Sequence, residues 1–141
     1  MKPCCQAKVN AVTRWLGPEC SVQIGNAGRN FVRLAGVSGA IAVAMGAYGA
    51  HGAFPKSEGE DGKDMEEIFW KAQRLHLIHS AVLMAAPLTR RPCLTGGLWS
   101  LGIILFSGSL YARSLTGNAT YGRFAPIGGT ILIFGWLAVA L

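Results

Sequence analysis

Long apolar stretches separated by short polar segments dominate this sequence. Three of them carry no Asp, Glu, Lys or Arg, namely residues 34–54, 93–112 and 124–141. Because a bilayer core about 30 Å thick is crossed by roughly 20 helical residues, each stretch has the length of a membrane span. Buried helices of soluble bundles normally carry a polar stripe at the helical period. These stretches do not, which disfavours a soluble bundle.

A fourth span is predicted at residues 68–88, although its pattern is weaker. Its charge-free part, residues 75–88, is too short to cross a bilayer alone. Extension back to Ile68 brings Lys71 and Arg74 into the first turns, where long cationic side chains reach the interface. The predicted fold class is therefore all-α, an integral membrane bundle of four transmembrane helices, with spans at about residues 34–53, 68–88, 93–112 and 124–141.

The segment before the first span is basic, and the segment between the first two spans is acidic. Residues 1–30 have no sustained helical period, which predicts a variable, disordered N-terminal tail before a transmembrane domain of residues 31–141. The basic, acid-poor tail also fits a mitochondrial targeting segment. Alternatively, Arg29 and Arg33 before a run of small apolar residues fit a cleaved signal peptide that includes the first span. Residues 54–67 hold most of the acids and predict a solvated loop.

The net charge of +6 comes mainly from cations that flank apolar runs, as interfacial anchors do. No basic stripe interleaved with aromatic residues occurs, so nucleic acid is not an expected partner. The pair Arg90 and Arg91 is the most concentrated positive signal, and it favours both termini on the cytoplasmic or matrix side. The four cysteines predict neither a disulfide framework nor a zinc site. The organelle stays open between the mitochondrial inner membrane and the secretory pathway or plasma membrane.

Small residues recur at intervals of four in the first span. The two ladders are Gly36, Ala40 and Ala44, and Ala42, Gly46 and Ala50. Spacing of four puts small residues on one helix face, where a second helix can approach closely. Gly128 and Gly129 in the fourth span predict the same kind of contact.

Polar side chains within the spans form the candidate functional site. Spacings of three and four put Gln73, His76 and Ser80 on one face of the second span. The predicted cluster, near the membrane face that carries the acidic loop, consists of His51, Gln73, His76, His79 and Tyr111. Histidine titrates near neutrality and binds metal ions, which suits a carrier. The competing interpretation is that neutral histidines hydrogen-bond between helices and hold the bundle together.

Sequence motifs for catalysis are absent from the spans. There is no GxSxG elbow, phosphate-binding loop, HExxH motif or pair of carboxylates. We therefore expect no catalytic residues, no cofactor and no metal site, and we expect that the protein is not an enzyme.

A series of short motifs runs from residue 33 to the end of the chain. They are Leu34-Ala35-Gly36 with Ser38-Gly39, Tyr48-Gly49-Ala50-His51-Gly52-Ala53, His76 with His79-Ser80, Gly108-Ser109-Leu110-Tyr111, Ala125-Pro126-Ile127-Gly128-Gly129-Thr130 and Gly135-Trp136. In this order they resemble the transmembrane protein 256 family, small membrane proteins of unknown function with bacterial inner-membrane relatives. The resemblance implies a helical membrane protein, mitochondrial in animals, without an established activity or known catalytic residues.

The leading hypothesis is a small multi-pass membrane protein that acts as a non-enzymatic structural or assembly component. Its expected partners are the lipid bilayer and either a second copy of the chain or another membrane protein. The alternative is a small-solute, proton or metal-ion carrier that uses the histidine cluster near one membrane face.

Overall fold

Four α-helices make up most of the protein. The computed structural model describes residues 26–52, 54–55 and 65–140. The helices are α1 (Asn26–His51), α2 (Met65–Leu83), α3 (Pro92–Thr116) and α4 (Ala125–Val139). Two short 3₁₀ segments, Ala86–Leu88 and Ala119–Phe124, lie in the connections. The described residues contain no strand, so the all-α prediction is confirmed for that part of the chain.

The ends of the helices differ from the predicted ends of the spans. α1 begins at Asn26, so residues 26–30 of the predicted tail are helical, whereas residues 1–25 lie outside the described residues. The ring of Phe31 covers Gly96 at the start of α3, and this contact anchors the first turns of α1. Residues 56–64 of the acidic loop also lie outside the described residues.

The second helix and the third end at identifiable signals. α2 ends at Leu83 rather than residue 88, because Pro87 has no N–H to continue the helix and a 3₁₀ turn follows. Pro92 occupies the first turn of α3, where a missing N–H costs nothing. Gly117, with φ of 72°, terminates α3, and its N–H donates to the carbonyl of Arg113 over 2.9 Å.

Consecutive helices run antiparallel. Between α1 and α2, Ser38 meets Ser80 whereas Gly49 meets Phe69, so position numbers rise on one helix as they fall on the other. Between α3 and α4, the same reversed order links Trp99 with Gly135, Gly102 with Leu132 and Phe106 with Gly128. α1 and α3 therefore run parallel, with Phe31 on Gly96 near their first ends.

Three segments of the described chain are long and apolar enough to cross a membrane: Asn26–His51, Pro92–Thr116 and Ala119–Val139. α2 does not belong to this group. Its first half carries Glu66, Glu67, Lys71 and Arg74, and its buried face includes His76 and His79.

The buried side chains form two clusters. One surrounds Trp99 and includes Leu83 of α2 and Leu132 of α4. The other surrounds Phe69 and includes Ala72 and Tyr111, with the rings of Phe69 and Tyr111 5.1 Å apart. The aromatic cluster lies toward the end of the bundle where α1 ends and α2 begins, and it ties α2 to α3 there.

Glycine allows the closest contact in the bundle, between α3 and α4. A Cβ built on Gly128 would overlap the backbone of Leu105 and Phe106. A Cβ on Gly102 would lie 2.5 Å from the side chain of Leu132, closer than carbon atoms approach. Gly129 makes an ordinary contact, with its Cβ position 3.5 Å from the ring of Phe106. The glycines thus let two backbones approach where any side chain would hold them apart.

The small residues of α1 divide between two faces. Its buried positions are Gly28, Ala35, Ala42 and Gly49, which repeat every seven residues. Gly46 lies near this face, with its Cβ position 3.0 Å from the Gln73 amide nitrogen. Gly36 and Ala40 are exposed, and a Cβ on Gly36 would have no described atom within 4 Å. Among the described residues, therefore, Gly36 and Ala40 do not mediate a helix contact, because α1 turns its seven-residue repeat toward the bundle.

Candidate functional site

A hydrogen-bonded group of four side chains joins α1, α2 and α3 in the middle of the bundle. We call Ser38, His76, Ser80 and Tyr111 the His76 cluster. The Ser38 hydroxyl lies 3.0 Å from His76 Nε2 and 2.7 Å from the Ser80 hydroxyl, and the Tyr111 hydroxyl lies 3.4 Å from His76 Nδ1. His76 and Ser80 are nearly inaccessible to solvent. The cluster therefore links three helices through one imidazole.

The number of available protons determines which group donates in each hydrogen bond of the His76 cluster. Ser80 donates its only proton to the His76 carbonyl over 2.8 Å, so Ser38 must donate to Ser80. Ser38 then has no proton left, and His76 Nε2–H donates to it. His76 Nδ1 consequently accepts from Tyr111. We assign this tautomer from the bonding pattern. With His76 neutral, every donor of the His76 cluster has an acceptor.

His79 belongs to a separate contact between α2 and α4. Its Nδ1 donates to the Leu75 carbonyl over 2.8 Å, and its Nε2 accepts from the Trp136 indole over 3.2 Å. The Trp136 ring also packs against Trp99, with centroids 5.7 Å apart. His79 thus connects the most polar helix to the most apolar one.

The other predicted cluster residues lie nearer the acidic loop. Gln73 donates its amide proton to the Ala42 carbonyl over 3.3 Å, about one turn from the His76 cluster. His51 is exposed at the end of α1. It lies thirteen positions after Ser38, or roughly 20 Å along the helix, so the structure does not bring it to His76.

Three residues of the observed network are absent from the predicted cluster, and one of them, Ser80, was placed by its spacing on the face of His76. Ser38 sits in a small apolar run, and Trp136 resembles an interfacial anchor by sequence alone. For Ser38, the available signal was a hydroxyl near the centre of a span, which must find a partner when no water is present. Trp136 gave no comparable signal, because its partner lies 57 positions away.

An apolar cavity of about 350 Å³ lies beside the His76 cluster, between α1 and α3. Its walls come from both helices, and the residues are Leu34, Val37, Ile41, Met45, Ile103, Ile104 and Gly108. Its polar lining consists of Ser38, His76, Ser107 and Tyr111. The wall residues Val37 and Ile104 are largely exposed, so the cavity borders the outer surface of the bundle.

The chemistry available in this region is hydrogen bonding by neutral groups. Within the described part of the chain, no three His, Cys, Asp or Glu side chains gather where they could hold a metal ion. The described lining of the cavity contains no carboxylate, Lys or Arg. The arrangement can bind neutral groups and fix the relative positions of helices.

Comparisons with known proteins identify an uncharacterised membrane family. Residues 45–129 match the family described as "Protein of unknown function (DUF423)". A UPF0382 membrane protein of Staphylococcus epidermidis is 33% identical over 116 residues, covering 79% of this chain and 92% of the relative. A UPF0382 membrane protein of Bacillus subtilis is 30% identical over 118 residues, with coverage of 79% and 93%.

A third similar protein, a UPF0382 membrane protein of Haemophilus influenzae, is 31% identical over 117 residues, covering 78% of this chain and 90% of the relative. No solved structure matches the chain. The matches and the apolar helices confirm the predicted membrane location and the predicted membership of an uncharacterised membrane family. The name of the transmembrane protein 256 family, the signal peptide and the mitochondrial location stay predictions.

Proposed function

The chain belongs to the DUF423 family of proteins of unknown function, and from that premise we propose that it is a four-span, non-enzymatic packing component of a membrane assembly. The observation that carries the proposal is the exposed small-residue face of α1. α1 packs mainly against α2 and leaves Gly36, Ala40 and Ala44 uncovered by the described residues.

The direction of the helices supports the four-span topology. α1 and α3 run parallel and both have the length and apolarity of membrane spans. If both cross the membrane, the chain must return across it between His51 and Pro92, and α2 is the helix in that interval. Its 19 residues extend about 28 Å, close to the thickness of a bilayer core.

The charges of α2 are compatible with a span that enters from the side of the acidic loop. The ammonium group of Lys71 lies 2.7 Å from the Glu67 carboxylate, which offsets both charges near the helix start. Arg74 is long enough to reach the interface from the third turn. Toward the other end, the exposed side chains are apolar, as Leu77 and Ile78 are. The imidazoles face inward, where the neighbouring helices give them partners.

The exposed face of α1 is suited to a second helix. Gly36 and Ala40 are one turn apart, and no described atom fills the space above Gly36. An apolar helix surface gains nothing from the hydrophobic effect when it exchanges lipid for another helix. Helix association in a bilayer therefore depends on close packing, which small residues permit. Val37 and Val43, which are about 60% exposed, would pack on either side of such a partner.

The saturated His76 cluster also supports a structural role. Its polar groups bond to one another when His76 is neutral, and such interhelical hydrogen bonds fix the relative position of helices. This is the bonding expected of a fixed joint between helices.

The test compares a Leu substitution on the exposed face of α1 with a control Leu substitution on α3. Gly36→Leu fills the exposed face of α1, and Gly97→Leu adds the same side chain at an exposed, open position of α3. We expect Gly36→Leu to remove the protein from its complexes, measured by native electrophoresis of a tagged chain after mild detergent extraction. Gly97→Leu should leave them intact. Two differently tagged copies that purify together would identify a second copy as the partner.

Equal migration of the wild-type and Gly36→Leu proteins at the monomer mass, before and after crosslinking in the membrane, would contradict the proposal. Loss of complexes in both Leu variants would also contradict it, because the effect would then not depend on the α1 face.

A carrier of protons or small solutes is the second candidate, because the cavity between α1 and α3 reaches His76. It predicts a pH-dependent flux into liposomes that contain the purified protein, and loss of that flux in His76→Ala. The absence of flux at every pH would remove this candidate.

A further inference from the structure

We propose that the cavity between α1 and α3 is a binding site for a neutral, membrane-soluble molecule that carries a carbonyl oxygen. The site requires only the membrane location and not a protein partner for α1. The wall residues Leu34 and Ile41 lie on a different side of α1 from Gly36 and Ala40, since successive helix positions are rotated by about 100°, and Val37 borders both surfaces.

The shape and lining of the cavity are those of a small-molecule site. Its volume of about 350 Å³ falls within the range of roughly 300 to 1,000 Å³ that is usual for such sites. Most of its lining is aliphatic, and a few polar groups converge on one side. Its exposed walls face the region that lipid occupies around the bundle, so a ligand would enter from the bilayer.

A buried, unsatisfied hydroxyl points to the missing chemical group. Ser107 lines the cavity, is 2% exposed, and its hydroxyl has no hydrogen-bond partner among the described residues. The other three serines of α3 each donate to a carbonyl of the preceding turn of their own helix; they are Ser100, Ser109 and Ser114. Ser107 therefore has a free donor in a place where water is scarce, and a ligand with an acceptor oxygen would satisfy it.

The remaining polar groups restrict the ligand to a neutral one. No charged side chain of the described residues lines the cavity, so an ionised ligand would lack a counter-ion among them. The donors of the His76 cluster are already used, which leaves Ser107 as the donor for the ligand. A carbonyl oxygen accepts such a bond without bringing an additional donor that would need its own partner.

The depth of Ser107 separates this ligand from the bulk phospholipid. Ser107 lies six residues before Arg113, the first charged residue after the apolar run of α3, or about 9 Å along the helix. If Arg113 marks the interface, Ser107 lies inside the hydrocarbon core, which is about 30 Å thick. Ester carbonyls of phospholipids lie at the interface, and only the acyl chains of a bilayer lipid reach this depth. A compact ring ketone or quinone can reach it.

The chain offers matched variants for a test. A Cβ on Gly108 would have no described atom within 4 Å, and Gly108 lines the cavity, so Gly108→Leu can fill the cavity without a clash with the described backbone. Gly97→Leu adds the same side chain to the same helix outside the cavity. Ser107→Ala removes the free donor, and Ser100→Ala removes a hydroxyl that bonds within its own helix.

The experiment uses benzophenone as the probe, with the full-length protein in phosphatidylcholine vesicles. Benzophenone is a lipophilic ketone that attaches to nearby C–H groups on illumination, and the labelled peptides are found by mass spectrometry. Labelling is competed with fluorenone, or with fluorene, which has the same rings but a methylene in place of the carbonyl. We expect saturable labelling of the α1 and α3 wall residues, and fluorenone should protect at about fivefold lower concentration than fluorene.

Gly108→Leu should abolish this labelling while Gly97→Leu retains it. Ser107→Ala should remove the advantage of fluorenone over fluorene, and Ser100→Ala should preserve it. If Gly108→Leu does not fold, the competition and the Ser107→Ala pair still decide the proposal. Equal protection by fluorene and fluorenone in the wild-type protein would overturn it, because the carbonyl oxygen would then contribute nothing to binding. Non-saturable labelling spread over all helices would also overturn it.

Discussion

The α3–α4 pair and α1 use small residues in opposite ways. In α3 and α4, Gly102 and Gly128 face the partner helix, and neither position has room for a Cβ. In α1, Gly36 faces away from the bundle, and no described atom lies within 4 Å of its Cβ position. The comparison teaches that a small residue in a membrane helix reports a capacity for close contact, and that only the position of a neighbour decides whether the contact is made within the chain.

The largest effect should come from Gly128→Leu. The new side chain would overlap the backbone of Leu105 and Phe106, which cannot move aside as a flexible side chain can. We expect a loss of about 3 kcal/mol in the free energy of unfolding, measured by thermal or denaturant unfolding in detergent. Unchanged stability would mean that α3 and α4 do not pack as described.

Ser38→Ala tests whether the polar joint holds α1 to the bundle. It removes the acceptor for His76 Nε2–H and the donor to Ser80, two bonds between α1 and α2. Interhelical hydrogen bonds in membranes contribute about 0.6 kcal/mol each on average, so the loss should be about 1 to 2 kcal/mol. The control is Ser109→Ala, whose hydroxyl bonds only to Phe106 of its own helix. Equal stability of the two variants would rule out a stabilising role for the cluster.

A smaller effect is expected for Trp136→Phe. The substitution removes the indole N–H that donates to His79 over 3.2 Å, and it retains an aromatic ring beside Trp99. The expected loss of unfolding free energy is about 0.6 kcal/mol. In the double variant with His79→Ala, the loss should be smaller than the sum of the two single losses, because both substitutions remove the same hydrogen bond. Strict additivity would argue against the bond.

The smallest effect on the isolated chain should come from Gly36→Leu, which sharpens the comparison with Gly128→Leu most directly. The same substitution at an open position should change the unfolding free energy by less than about 0.5 kcal/mol. A large destabilisation of the monomeric protein in detergent would indicate that the α1 face is already covered within the chain.

The spans could be predicted because the bilayer thickness sets the length of a spanning helix, and a charge-free run of that length is visible in the sequence. The start of α1 could not, since it depends on Phe31 covering Gly96 more than sixty positions away. The facing side of α1 was also beyond the sequence. A period of four and a period of seven coexist among its small residues, and only the location of α2 selects the second.

The candidate site could be predicted in part for a similar reason. Helical spacing puts His76 and Ser80 on one face, and the end of α3 brings Tyr111 to His76. Residues at similar membrane depths in different helices can still lie far apart, and the sequence indicates only the depth. His51 and His79 were therefore grouped with residues that they do not contact. Ser38 was missed because a single hydroxyl in an apolar run reveals its partner only in three dimensions.

The seven-residue repeat of Gly28, Ala35, Ala42 and Gly49 has a mechanical consequence. Such a repeat drifts by about 20° per seven residues around an ideal helix, so the stripe stays in contact only if the helices wind around each other in a left-handed sense. α1 then touches its neighbours along much of its length instead of at one crossing point. A helix held in this way has no hinge, and we expect α1 to join or leave the bundle as one rigid rod.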